Sequence, residues 1–223
     1  MDKKQIQEAL KQVKETSGKK KFNQSIDLII VLRDLDLKKT DNHVDTYVQL
    51  HYPKGKTIKV CGIVGGELLE QSRKFLDMTI SVEEFEKYQK DKKSCKKLAS
   101  EYEYFVAQAT IMPKIAQAFG RVFGPRGKMP SPQAGCVVPP NANLQQLASR
   151  LRHLVRLTVK TVPMVQIMVG KEDSNEDEVV DNIMTIYNHL THALPKEESN
   201  VRRVILKTTM GKPVIVGAKK EKE

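Results

Sequence analysis

The hydrophobic pattern of the chain changes twice, and each stretch predicts a different kind of structure. A helix is predicted over 3–16, because apolar residues recur there at spacings of three and four. Two half-buried strands follow, because apolar and polar residues then alternate on either side of a polar loop at 37–42. The apolar positions that define these elements are Ile6, Ala9, Leu10, Val13, Ile26, Leu28, Ile30, Leu32, Val44, Val48 and Leu50.

The middle of the chain has another character. Residues 58–64 are almost continuously apolar, which predicts a strand that is covered on both faces. A helix is predicted after the glycine pair 65–66, and the spacing of Ser81 and Glu84 predicts a capping box ahead of another. A short buried strand at 104–107 precedes a long helix marked by Leu144, Leu147, Leu151 and Leu154. This alternation predicts a small α/β unit.

Simple alternation returns in the last part of the chain. It predicts strands at 157–159, 165–169 and 204–208. A helix between the last two begins with acidic residues over 173–181, which suit the positive end of a helix dipole. The charged tail at 219–223 is expected to be disordered.

The outer segments share one style and the middle differs, which predicts two domains. One is a discontinuous domain formed by 1–63 plus 155–223, so that it contains both termini. The other is an inserted domain at 64–154. The two crossings between them are expected to lie side by side as a double hinge.

Charge narrows the classes of function. From Tyr104 to Lys171 the chain has nine Lys or Arg residues and neither Asp nor Glu, and the whole chain carries a net charge of +11. Unpaired positive charge favours a polyanion, because each phosphate that is neutralised releases counterions. The stretch also has no carboxylate for acid–base catalysis or for binding hard metals. RNA or DNA binding is therefore favoured over catalysis, with an ordinary basic domain as the alternative.

Other features of composition fit an intracellular protein. No apolar run approaches the roughly 20 residues that a membrane span needs. The N-terminus lacks the apolar core of a signal peptide. The three cysteines, Cys61, Cys95 and Cys136, form neither a disulfide framework nor a zinc pattern. They are expected to be reduced structural thiols in a cytoplasmic protein.

The densest motif is the segment 120–130, GRVFGPRGKMP. Its glycines could let the backbone approach a phosphate and its cations could neutralise it. A P-loop, however, needs glycine and a hydroxyl residue where Val122 and Met129 stand, so that template fails. A rigid surface turn and a direct RNA contact remain equally open readings. A Rossmann-like enzyme that binds a phosphate ligand here is the competing hypothesis.

Two weaker motifs contain hydroxyl, apolar and cationic groups. In 207–213, KTTMGKP, the threonines could bond phosphate or 2′-OH groups and Met210 could contact a base or sugar. In 19–22, KKKF, Phe22 could stack on a base beside the lysines. Chemistry alone favours an ordinary strand and turn for 207–213 and a place in the core for Phe22. His189 and His192 lack a third metal ligand, and no G-x-S-x-G nucleophile elbow is present.

The order of these motifs resembles the family of the first large-subunit ribosomal protein, the protein of the mobile stalk beside the tRNA exit site. The resemblance covers nearly the whole chain and looks archaeal. It rests on Lys21-Phe22, on 120–130 followed by Ala134-Gly135, on Val169-Gly170-Lys171, and on Thr208-Thr209-Met210-Gly211.

The resemblance implies a fold and a function. The discontinuous domain would be a ferredoxin-like split α/β sandwich, and the inserted domain a Rossmann-like three-layer α/β domain without a nucleotide. The protein would bind the large-subunit rRNA stalk, help deacylated tRNA leave the exit site, and repress translation of its own mRNA. It would be a cytoplasmic, ribosome-bound protein, monomeric when free, with no cofactor, membrane association or enzymatic activity.

The resemblance also implies an RNA-binding face. Carried over by position, the face falls on Lys21, Phe22, Ser25, Thr208, Thr209, Met210 and Gly211. Lys160 and Lys212 are added because of their charge and their nearness in sequence. Arg203 departs from the small hydroxyl residue of many relatives, so its role stays open. Arg121, Arg126 and Lys128 are predicted as a secondary RNA or tRNA contact.

Overall fold

The computed structural model describes residues 2–18 and 20–217. Lys19 of the lysine run and the charged tail at 219–223 therefore lie outside the described residues. Elements follow one another as α1 (Lys3–Ser17), β1 (Ser25–Leu32), β2 (Val44–Gln49), β3 (Val60–Val64), α2 (Leu69–Phe75), β4 (Met78–Ser81), α3 (Phe85–Lys90), α4 (Lys92–Glu101), β5 (Tyr104–Gln108), α5 (Met112–Phe123), β6 (Val137–Val138), α6 (Leu144–Arg152), β7 (Leu154–Val159), β8 (Met164–Lys171), α7 (Glu176–Ala193), β9 (Val201–Thr208) and β10 (Val214–Ile215).

The chain divides into two compact units. The first contains Met1–Lys56 and Val155–Glu223, and the second contains Thr57–Leu154. The chain thus enters the second unit after Lys56 and not after residue 63 as predicted. The reason is that β3, which was assigned to the first domain, is a central strand of the second unit's sheet.

The first unit is built on an antiparallel sheet with the strand order β10-β9-β1-β8. Alternate residues of β1 are fully buried and belong to one core with the apolar faces of α1 and α7. The other residues of β1, from Ser25 to Val31, are only partly buried. A separate two-stranded sheet pairs β2 with β7 and packs on the same core. The period-two pattern therefore separates a helix-covered face from an open one.

The second unit has a parallel sheet with the strand order β4-β3-β5-β6. Helices α3 and α4 contact α5, whereas α2 contacts α6, as expected for helices on two faces of a parallel sheet. The aromatic rings of Phe105, Phe119 and Phe123 form the centre of one core, with the Phe105 and Phe123 ring centroids 4.3 Å apart. Both units confirm the predicted α/β class.

Several details differ from the sequence predictions, among them the short strands β4, β6 and β10, which were not predicted. Helix α5 was missed, and its last turn includes the first four residues of 120–130. The long helix predicted from Leu144 to Leu154 is α6, which ends at Arg152 because Leu154 already begins β7. The side chain of Ser81 makes no capping hydrogen bond, so the predicted capping box does not form. The acidic start of α7 is as predicted, with Asn175 Oδ1 accepting from the Asp177 amide at 3.2 Å.

Within the described ranges, none of the helices is long and apolar enough to cross a lipid bilayer.

Candidate nucleic-acid interface

Three segments that are distant in sequence meet at one end of the antiparallel sheet. Strand β1 runs antiparallel to both β8 and β9, so its start lies beside their ends. Ser25 pairs with Lys171, and Ile26 pairs with Thr208. The segment that leads into β1 and the turn that leaves β9 are therefore neighbours. This register brings together the predicted residues Lys21, Phe22, Ser25 and 208–212.

The turn after β9 is tied to the first residue of β1. The Thr209 amide donates to Ser25 O at 3.0 Å, and the Ser25 amide donates to Thr209 Oγ1 at 3.2 Å. This reciprocal pair extends the strand pairing by one residue and leaves Met210 at the tip. The Met210 side chain is 65% exposed and that of Phe22 is 53% exposed. Two apolar side chains thus project into solvent at one end of the first unit, where they are available to a partner.

Gly211 is required by space and not by its backbone angles. Its amide donates to Thr208 O at 3.2 Å and closes the turn. A Cβ atom at this position would collide with Thr208 Oγ1 and would lie 3.5 Å from the Cα of Ser17. Thr208 is itself fully buried, and its hydroxyl has no hydrogen-bond partner among the described residues. Thr208 was predicted to contact RNA, but its burial gives it a role in shaping the turn.

Charge surrounds the exposed turn. Lys21 and Lys212 are both exposed, one in each of the two segments. On the open face of the sheet, Asp27 lies opposite Lys207. Partial burial raises the pKa of Asp27, and the positive charge of Lys207 opposes that rise. Apolar tips, hydroxyl groups, backbone amides and peripheral cations together suit a folded RNA, which offers bases, sugars and phosphates.

Lys160 does not belong to this group. It follows β7 and precedes β8, whose first residue, Met164, pairs with Val31 near the opposite end of β1. Seven residues of strand separate that end from Lys171, or roughly 20 Å at about 3.3 Å per residue. Lys160 Nζ instead lies 2.7 Å from Asp45 Oδ2. Nearness in sequence was misleading here, because β8 carries the chain the length of the sheet.

The Asp45 carboxylate is held by two cations. Arg156 donates from Nε to Oδ1 at 2.7 Å and from Nη2 to Oδ2 at 2.8 Å, and Lys160 completes the cluster. The hydrogen bonds from Arg156, and then those from Lys160, lower the pKa of Asp45 to about 2. Arg203, whose role was left open, is exposed at the same far end, opposite Val31.

The motif 120–130 acts as a helix end in the second unit. The Gly124 amide donates to Gly120 O at 2.9 Å, and Gly127 has a φ of 62°. Arg126 Nη1 donates to Lys96 O and to Ser100 Oγ, both at 2.9 Å, so it clamps the end of α4. Lys128 Nζ donates to Glu103 O at 3.1 Å. Two of the three cations predicted to bind RNA or tRNA therefore hold backbone of their own unit.

In the second unit, side chains of its own lie where a doubly wound sheet would bind a nucleotide. Such ligands lie beyond the carboxyl ends of the strands where the strand order reverses, which here is between β3 and β5. Gln108, at the end of β5, accepts from the Gly65 amide at 2.9 Å and donates to Glu67 Oε2 at 3.1 Å. A buried glutamine and a carboxylate thus occupy the crevice, and a carboxylate repels phosphate. This arrangement argues against the nucleotide-binding hypothesis.

The described residues offer no cluster of side chains that could bind a metal ion. No group of three or more His, Cys, Asp or Glu side chains in this part of the chain could hold a metal ion. The three cysteines are free and buried. Burial raises the pKa of Cys61 and of Cys136 to about 12, so neither is a reactive thiolate.

The sequence was also compared with known proteins. A family model described as the ribosomal protein L1p/L10e family matches residues 10–212. The chain belongs to this family. The large ribosomal subunit protein uL1 of Methanosphaera stadtmanae is 40% identical to it over 207 residues, which is 92% of this chain and 95% of that protein. The protein of the same name from Methanocaldococcus jannaschii is 34% identical over 223 residues and covers both chains completely.

Membership of the L1p/L10e family confirms several predictions. The resemblance read from the motifs is correct, and the similar proteins are archaeal, as predicted. The chain is a ribosomal protein and not an enzyme, which also places it in the cytoplasm on the ribosome. The match spans both units, so the inserted unit is part of the family pattern.

Sequence reasoning missed the residues that support the exposed turn. Gln24, Ser17 and Glu172 are joined to it by hydrogen bonds between residues 148 to 186 positions apart in sequence. Only the strand pairing could have found them, because none of the three belongs to a recognisable motif.

Proposed function

We propose that this chain binds the rRNA stalk of the large ribosomal subunit beside the tRNA exit site. The single observation that carries the proposal is the Thr209–Gly211 turn, which presents an exposed methionine on a frame fixed by two strands. Similar proteins are named as uL1 of the large ribosomal subunit, which indicates the partner. The positive charge of the chain adds attraction for any RNA.

The proposed mechanism is recognition of a folded RNA by shape. Met210 and Phe22 pack against bases or sugars, where burying their exposed area contributes binding energy. The backbone at Gly211 lies close to the RNA, since no side chain stands in the way. The Ser25 hydroxyl faces RNA oxygens, and Thr209 Oγ1, which accepts from the Ser25 amide and donates to Ser25 O, keeps a lone pair for a 2′-OH group. Lys21 and Lys212 neutralise phosphates at the periphery of the contact.

The second unit is proposed to assist at the exit site. Arg121 lies on the exposed side of α5 and lines a surface cavity of about 240 Å³ together with Lys92, Gln89 and Gln117. Two cations and two amides without a carboxylate suit the phosphates of deacylated tRNA. Arg126 and Lys128 support this surface through their contacts with α4 and the backbone before β5.

The same proposal includes translational repression and the oligomeric state of the free protein. The turn that binds the stalk would also bind a similar fold in the chain's own mRNA and so repress its translation. The free protein is proposed to be a monomer, because RNA and not a second copy covers the exposed turn. Competition between stalk RNA and mRNA fragments for one site would support the first point, and light scattering tests the second.

The proposed function is tested by binding to the stalk rRNA fragment and to an unrelated RNA of equal length across a salt series. A preference of about a thousandfold that persists as salt rises supports a structured site. Equal affinity for both RNAs, with a steep fall in affinity as salt rises, would mean that the chain binds RNA only through its positive charge. Heat from micromolar binding of a nucleotide would instead indicate a nucleotide site in the second unit.

A further inference from the structure

A buried glutamine lies directly beneath the exposed turn. Gln24 has no solvent exposure, and its Oε1 accepts a hydrogen bond from the Met210 amide at 3.1 Å. Its Nε2 donates to Glu172 Oε2 at 3.5 Å, and its backbone oxygen accepts from the Glu172 amide at 2.9 Å. Gln24 therefore joins the segment before β1, the end of β8 and the turn after β9.

A second link connects this group to α1. Ser17, the last residue of α1, is buried, and its hydroxyl donates to Glu172 Oε1 at 3.1 Å. The same hydroxyl also donates to Lys14 O at 2.9 Å, so its one proton is shared between the helix end and the carboxylate. Both oxygens of Glu172 are thus directed towards donors on two different elements. The hydrogen bonds run without interruption from Ser17 through Glu172 and Gln24 to the Met210 peptide.

We propose that Gln24 is a positioning residue for RNA binding, held by Glu172 and Ser17, and that it fixes the Met210 peptide in the conformation that meets RNA. The proposal deepens the proposed function and rests on it. Gln24 is buried, so it acts only through the turn. If the buried amide of Gln24 turned over, its hydrogen-bonding groups and those of its partners would be left unsatisfied. This cost holds the amide in one orientation. The two ends of the amide are not interchangeable, because only the oxygen can accept from the Met210 amide.

This chemistry permits an exchange test. Q24E keeps an acceptor for the Met210 amide but places a second carboxylate against Glu172, where the like charges repel. The double variant Q24E/E172Q exchanges the two groups. A carboxylate oxygen again faces the Met210 amide, and the new amide at position 172 can donate to it and accept from Ser17. Q24M keeps the volume and removes the acceptor.

The experiment measures binding of stalk rRNA and of unrelated RNA by the wild type and by each variant. We expect Q24M and Q24E to lose about tenfold or more in affinity for the stalk fragment, with unchanged binding of unrelated RNA and an unchanged salt slope. Q24E/E172Q should recover to within about threefold of the wild type, because the hydrogen bonds are restored. The ¹⁵N–¹H signal of Met210 should shift in Q24M and return towards its wild-type position in the double variant.

Asn200 provides a matched control at the other end of the sheet. It is also a fully buried amide, with Oδ1 accepting from the Lys196 amide at 2.8 Å and Nδ2 donating to Arg33 O at 3.0 Å. Asn200→Leu should lower the free energy of unfolding and leave RNA affinity unchanged. An equal loss of affinity in Asn200→Leu would assign the effect to general destabilisation and overturn the proposal.

Other outcomes separate this inference from the function on which it rests. Wild-type affinity of folded Q24M, or a double variant as weak as Q24E, would overturn the positioning role while the stalk preference stands. If Q24M does not fold, Ser17→Ala tests the same frame, because it removes the hydroxyl that contacts both Glu172 Oε1 and Lys14 O and leaves Gln24 in place. Unchanged stalk affinity in Ser17→Ala would count against the frame. A wild type without preference for the stalk would overturn the proposed function itself.

Discussion

Truncation of Met210 tests the RNA-binding turn with little disturbance of the fold. The Met210 side chain is 65% exposed, and the hydrogen bond of the turn to Gln24 uses the Met210 backbone amide. Met210→Ala therefore removes apolar contact area and leaves the frame intact. The free energy of unfolding should change by less than about 0.5 kcal/mol, as is usual for exposed positions.

The expected loss of affinity follows from the area that RNA would cover. Full burial of a methionine side chain contributes about 1.5–3 kcal/mol. Since about two thirds of Met210 is available to a partner, its truncation should weaken binding by about 1–2 kcal/mol, or roughly 5- to 30-fold in Kd. The salt slope should not change, because methionine neutralises no phosphate.

The assay is a gel shift or filter titration with the stalk rRNA fragment at several salt concentrations. Met164→Ala is the matched control, because Met164 is 40% exposed on the same sheet but at the opposite end of β8. Unchanged affinity in Met210→Ala, or an equal loss in Met164→Ala, would refute the assignment of the turn as the contact.

Three further predictions concern a glycine, a clamp and an ion pair. Gly211→Ala should displace the turn, because its Cβ would collide with the Thr208 hydroxyl. Stalk affinity should fall by about tenfold or more, whereas Gly66→Ala, which meets open space, should leave it unchanged. Arg126→Met should lower the stability of the second unit by about 1 kcal/mol, seen in its thermal unfolding, with stalk affinity unaffected. A change in affinity instead would mean that Arg126 contacts RNA. The pKa of Asp45 lies near 2 in the folded protein, below its ordinary value of 3.8. Its stabilising effect is therefore complete above about pH 4 and is lost as the pH falls towards 2. Solvent screening limits this effect to about 1–2 kcal/mol. Denaturant titrations at several pH values give the free energy of unfolding of each protein. Asp45→Asn should remove this acid-dependent loss, and an identical pH dependence of the free energy in both proteins would contradict the prediction.

The sequence predicted those parts of the fold that repeat a clear hydrophobic period. Helix α1 and strand β1 have unbroken periods of 3.6 and two, and both lie close to where they were expected. Helix α5 was missed because its last turn lies in a segment rich in glycine and cations, which resembles a loop. Burial of the rings of Phe119 and Phe123 outweighs the cost of Gly120 in the helix. Leu154 continues the leucine spacing of the preceding helix, which led to its wrong assignment, but it is a buried residue of strand β7.

The parts of the candidate site that could be predicted are those formed by residues adjacent in sequence. The turn Thr209–Gly211 and the segment around Phe22 were predicted from the family resemblance, which each of them shows as a compact motif. The supporting residue Gln24 could not be predicted, because its role exists only after three strands have paired. Lys160 shows the opposite error, since nearness in sequence suggested a nearness in space that the length of β8 removes. The family resemblance therefore supplied the candidate contacts, and the topology shows what supports them.

The most direct test of the central claim uses the methionines as probes without changing the protein. The chain has eight methionines, and ¹³C labelling of their methyl groups gives one NMR signal for each. On addition of stalk rRNA, the Met210 methyl signal should shift strongly, because its exposed side chain enters the contact. The signals of Met164, at the far end of the sheet, and of Met129, in the second unit, should stay near their free positions. A shift confined to Met164 or Met129, with the Met210 signal unmoved, would contradict the account.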